Sequence, residues 1–167
     1  LTRKGARIII GGACLAAEFA VRLQQGGESD LALQHFRQAV RLNPACVPAY
    51  GELGRLYLTL GDTAAALDAL RRAQQLAPGD PAVANMLAWV LATAPDLAAS
   101  DRSDALLLAT RLTGERRDLP AELLDTLAAA LAANGRFGEA AETVQRAIAL
   151  AEQQNRTDAA QQFRTRL

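Results

Sequence analysis

Histidine and tryptophan each occur once in the 167 residues and cysteine twice, and aromatic residues make up only 4% of the chain. With one His and two Cys, a zinc site would need carboxylates to complete its coordination, and neither C-x-x-C nor H-E-x-x-H is present. No metal site and no cofactor are expected. Cys14 and Cys46 are too few for a disulfide framework; in small apolar surroundings they read as helix-packing residues, with a single bridge as the alternative. His35 has no local Ser, Cys or Asp arrangement that would make it a catalytic base, and reads as a surface histidine. The glycines of Ile10-Gly11-Gly12-Ala13 and Gln25-Gly26-Gly27-Glu28 come without the lysine or strand context of a phosphate-binding loop.

Charge of one sign is also lacking. Lys+Arg and Asp+Glu are each 18, so the net charge is zero and no global field draws the chain to nucleic acid or an anionic membrane. The longest apolar run, Ile8 to Ala17, stops at Glu18, well short of the roughly 20 residues of a membrane span. What is abundant is Ala and Leu within a 50% hydrophobic composition, while Val and Ile are sparse. This is the composition of closely packed helices, so the expected class is all-α.

A repeat organises these helices. At an offset of 34 residues, Phe19 maps to Leu53 and Leu87, Ala20 to Gly54 and Ala88, and Leu23 to Tyr57 and Leu91. In the second half of each unit Ala32, Phe36, Ala39, Leu42 and Pro44 become Ala66, Leu70, Ala73, Leu76 and Pro78. The i, i+4, i+7 spacing is helical. Gly27, Gly61 and Gly135 fall where the chain reverses between the two helices, and Asn43-Pro44 and Ala77-Pro78 close the second helix. Small residues allow close helix approach, and Gly54 is expected to face Ala66.

Tyr50, Leu53-Gly54, Tyr57, Gly61, Ala66, Leu70, Ala73 and Pro78 together resemble the tetratricopeptide repeat (TPR) family. The resemblance implies a superhelix of helix-turn-helix units: a leading segment 1–12, repeats at 13–46, 47–80, 81–120 and 121–154, and a capping helix at 155–167. The third unit carries five extra residues, since Leu91 to Ala105 spans 14 positions against nine from Tyr57 to Ala66. The insertion is placed as a loop over 94–102. Asn85-Met86-Leu87-Ala88-Trp89 before it and Asp125-Thr126-Leu127-Ala128-Ala129 after it are similar to a bacterial subgroup with this lengthened unit.

The resemblance also implies a concave groove lined by the first helix of each pair, and therefore a non-catalytic scaffold for a protein or peptide ligand. The groove residues expected are Glu18, Glu52, Arg55, Leu58, Asn85, Met86, Trp89 and Asp125. Chaperone-binding members hold an acidic tail with Lys, Asn and Arg, but the corresponding positions here include Ala17, Val21, Glu52, Ala82 and Met86, so that clamp is absent. Trp89 reads either as an apolar anchor for a ligand or as packing under Pro95 and Leu97; Arg55 reads as an ion-pair partner of Glu18 or Glu52. Asp125 is read equally as a ligand contact or as a hydrogen-bond partner of Thr126 or a neighbouring helix start. Catalysis would need convergent titratable groups, which this groove lacks. The chain opens on Leu1, which suggests a repeat module of a larger bacterial envelope- or membrane-associated protein. A homodimer through Ile8, Ile9 and Ile10 is a further expectation. The expected location is cytoplasmic, or periplasmic for a fragment of an exported protein.

Overall fold

The computed structural model describes residues 20–23, 26–95, 97–114 and 119–165. Every regular element among them is helical: α1 (Ser29–Leu42), α2 (Val47–Thr59), α3 (Thr63–Leu76), α4 (Pro81–Thr93), α5 (Ala99–Gly114), α6 (Ala121–Ala133), α7 (Phe137–Gln153) and α8 (Thr157–Arg164), preceded by helical residues at 20–23. The expected leading segment, Glu18, Cys14 and the Ile8–Ile10 face lie outside the described residues.

The turns follow from residue chemistry. Gly27, Gly61 and Gly135 have φ of 86°, 79° and 76°, a left-handed conformation that a side chain would strain. Each is followed two residues later by the first residue of a second helix: Ser29, Thr63 and Phe137. Asn155, with φ 57°, makes the corresponding reversal before α8. Asp62 caps α3 by accepting from the Ala65 amide at 3.0 Å, and Asp80 caps α4 by accepting from Ala82 and Val83 at 2.9 and 3.2 Å. Asn43 ends α1 and accepts from the Ala45 amide at 3.1 Å, turning the chain through Pro44.

The chain falls into two compact units, one ending at Val83 and the other starting at Ala84. In the first, α2 packs against both α1 and α3. Its core gathers Ala32, Phe36 and Ala39 of α1 with Ala49, Leu53 and Leu56 of α2. Cys46, buried in this core, is disulfide-bonded; it is more than the packing residue suggested by its surroundings. The sequence holds one other cysteine, Cys14. Gly54 lies against Leu70: a Cβ at this glycine would come within 2.6 Å of the Leu70 Cγ. The close crossing expected at Gly54 is present, and the atoms nearest to such a Cβ belong to Leu70, one turn beyond Ala66, whose side chain fills the space that the missing Cβ leaves.

In the second unit α6 packs on α5 and α7, and α8 on α7. Ala121, Leu124 and Ala128 of α6 meet Val144, Ala147 and Ala151 of α7, and Ala160 and Phe163 of α8 close this core. The insertion is only partly a loop. Helix α5 begins at Ala99, so the last four residues of the 94–102 window are helical. The Asp101 carboxylate accepts from the Ala98 amide at 3.3 Å and the Arg102 guanidinium donates to the Leu97 carbonyl at 3.0 Å, which supplies the first turn with its partners. The Asn134 amide then donates to the Arg102 carbonyl at 2.7 Å, tying the start of α5 to the end of α6.

Candidate partner-binding site

The expected groove residues separate between the two units. Glu52, Arg55 and Leu58 lie on α2 in the first. The Arg55 Nε donates to Glu52 Oε2 at 3.0 Å within an ion pair, so the internal pairing read from the sequence is present. Leu58 is partly buried on the same helix.

Asn85, Met86 and Trp89 on α4 and Asp125 on α6 belong to the second unit. Trp89 and Asp125, 36 positions apart in sequence, meet at one cavity of about 530 Å³. Helix α4 contributes Trp89 and Thr93, α6 contributes Asp125, Ala128, Ala129 and Ala132, and α7 contributes Phe137, Ala140, Ala141 and Val144. The alanines of α6 and α7 leave this space unfilled because their side chains end at Cβ. The Thr93 hydroxyl donates its proton to the Trp89 carbonyl on its own helix at 2.8 Å. Asp125 is only 6% exposed, and both it and Trp89 make interactions within the chain. The Thr126 hydroxyl donates to the Glu122 carbonyl at 3.1 Å.

Asn85 and Met86 are partly buried on α4 and are not among the residues lining this cavity. The Asn85 Oδ1 is buried without a hydrogen-bond partner. Phe137, which sequence reasoning did not single out, is the most exposed aromatic at the cavity, at 70%. The available signal was the register: its counterparts Ser29 and Thr63 are small and polar, so an aromatic there serves no packing role common to the repeats.

Chemically the cavity offers apolar surface bounded by two aromatic rings. Among the described residues there is no group of three or more His, Cys, Asp or Glu placed to hold a metal ion, and no helix long and apolar enough to cross a membrane.

The family model for the tetratricopeptide repeat matches residues 18–81. No curated protein sequence matches the chain. Among solved structures, PilW, described as a widely conserved type IV pilus biogenesis factor, aligns with a TM-score of 0.70 at 14% identity, over 90% of this chain and 74% of its own. The pilF protein of Pseudomonas aeruginosa aligns at 0.66 and 14% identity over 95% and 75% of the two chains, and MamA at 0.66 and 18% over 84% and 73%. At such identities the likeness establishes the fold, an all-α array of helix-turn-helix repeats. Repeats of this kind are in general non-enzymatic scaffolds for protein partners. Residues 18–81 thus match the tetratricopeptide repeat, and the fold built from such repeats is shared over most of the chain.

Proposed function

We propose that the protein is a non-catalytic scaffold whose second unit holds a segment of a partner protein by an apolar side chain inserted between Trp89 and Phe137. The observation that carries this reading is the convergence of Trp89, Phe137 and an alanine-lined floor on one cavity of about 530 Å³. Covering exposed aromatic surface with a partner stabilises the complex by on the order of 25 cal/mol per Å² of apolar area removed from water. Affinity capture with wild type, Trp89→Ala and Phe137→Ser in parallel tests the reading. A partner retained by wild type and lost with Phe137→Ser, at unchanged thermal unfolding, supports it; equal retention by all three overturns it. Glu52, Arg55, Leu58, Asn85 and Met86 then belong to the same scaffold's first helices without touching this ligand, and the part of Glu18 is for the same capture experiment to assign.

A second reading, a repeat module working in an oxidising compartment such as the periplasm, is favoured by the disulfide at Cys46. Alkylation of the unreduced, denatured protein followed by mass spectrometry should find no reactive thiol after export and two after cytoplasmic expression. Two reactive thiols in both preparations would remove the argument for export.

A further inference from the structure

We infer that the exposed face of α1 is a second docking surface, which takes an acidic segment of a protein partner. Gln34, Arg37, Gln38, Arg41 and Leu42 line a cavity of about 420 Å³ in the first unit. Their spacing is one stripe of a helix. The Arg37 guanidinium is held in place: its Nε donates to the Tyr57 hydroxyl at 3.0 Å and its carbon lies 5.7 Å from the centre of that ring. Its two Nη groups keep their donors for a ligand, in the fork geometry that matches a carboxylate. Arg41 stands one turn further along the same helix and is exposed.

These two arginines differ from Arg55, Arg136, Arg156 and Arg164, each of which holds a carboxylate; no carboxylate among the described residues pairs with Arg37 or Arg41. Three positions before Arg37, where a carboxylate on the same helix face could pair with it, stands the neutral amide of Gln34. An internal counter-charge is thus missing where a cavity faces two guanidinium groups.

Cations one helical turn apart, about 5–6 Å, suit carboxylates on alternate residues of an extended segment, which repeat at about 6.8 Å. Leu42, 50% exposed at the end of the stripe, adds an apolar contact that suits a polypeptide better than a phosphate backbone. A zero net charge leaves no wider field to hold nucleic acid.

Fluorescence anisotropy with a short labelled peptide of alternating Glu and Ser ending in Leu tests the inference, with circular dichroism confirming that each variant is folded. Wild type should bind at low salt and release the peptide as salt rises. Arg41→Glu should weaken binding by about tenfold or more, and Gln34→Asp, which supplies an internal carboxylate, should weaken it less. Arg41→Lys, which keeps the charge without the fork, should fall between wild type and Arg41→Glu. No binding by wild type at low salt, or equal binding by wild type and Arg41→Glu, overturns the inference. Tighter binding of a single-stranded oligonucleotide of the same charge overturns it in favour of nucleic acid. Phe137→Ser should bind the peptide as wild type does; a loss with Phe137→Ser and not with Arg41→Glu would put the peptide's leucine at the Trp89 cavity and overturn the inference, whereas no binding by wild type leaves the reading of that cavity intact.

Discussion

At the crossing of α2 and α3 a glycine, Gly54, meets a leucine, Leu70; at the crossing of α6 and α7 the same register holds Ala128 and Val144. One carbon has moved from the second helix to the first, and the volume at the contact is kept. The consequence differs between the units. Leu70 fills its crossing completely and is fully buried, whereas Ala128 and Val144 both line the cavity beside Trp89 and Phe137. A repeat pattern constrains how closely two helices approach; which side chain occupies the contact decides whether space is left beside it.

The comparison can be broken hardest at the position shared by Phe36, Leu70 and Val144. Phe36 is fully buried in the first unit, so Phe36→Ala should cost about 3–5 kcal/mol. Val144→Ala, beside an existing cavity, should cost about 1.5 kcal/mol, the transfer of two methyl groups. Denaturant unfolding of both variants checks this, and a loss at Val144 well above the transfer value would mean that a new cavity forms there and that the second unit is packed as tightly as the first.

A smaller effect is expected at Gly54. Gly54→Ala places a Cβ within 2.6 Å of Leu70 and should cost about 1–3 kcal/mol by overpacking. Adding Leu70→Val reproduces the Ala128 and Val144 pair and should recover part of that loss. A double-mutant cycle showing no coupling between the two sites would refute the idea that the crossings trade volume.

Much of this was legible in the sequence and some was not, for physical reasons. The turns at Gly27, Gly61 and Gly135 were legible because a left-handed backbone leaves few residue choices. Trp89 and Asp125 were each singled out in the sequence as first-helix residues, but their meeting at one cavity depends on the small side chains between them, which spacing alone does not reveal. The part of Leu70 at Gly54 was not legible, since spacing gives a helix face but not the reach of a leucine side chain. Phe137 escaped notice because the first residue of a second helix has no packing role in the repeat. The helical start of α5 within the insertion rests on the side chains of Asp101 and Arg102, which turn-former composition does not reveal.

The turn after each positive-φ glycine gives a finer contrast. Asp62 follows Gly61 and caps α3 with its carboxylate, whereas Arg136 follows Gly135 and makes no side-chain cap to α7. Asp62→Ala should therefore cost about 1 kcal/mol, seen as a lower unfolding midpoint. Arg136→Ala should leave the cap unchanged and lose only a surface pair.

That pair supplies the smallest expected effect and the one with a distinct signature. The Arg136 Nε donates to Glu139 Oε1 at 2.7 Å and Nη2 to Oε2 at 2.5 Å. The hydrogen bond from Arg136 is the main reason that the Glu139 carboxyl sits below its ordinary value of 4.5, with the positive charge adding to it and partial desolvation opposing it. The arginine is correspondingly raised, chiefly by the same hydrogen bond. Because the folded-state value is depressed, the contribution is complete above the unfolded-state value and is lost as pH falls through the folded one. Both side chains are exposed, so the effect is small and weakens with salt. Unfolding midpoints of wild type and Glu139→Gln should differ slightly at neutral pH and converge in acid below the ordinary carboxylate value. A gap that stays constant with pH would assign the effect of Glu139 to its place in the first turn of α7 rather than to its charge.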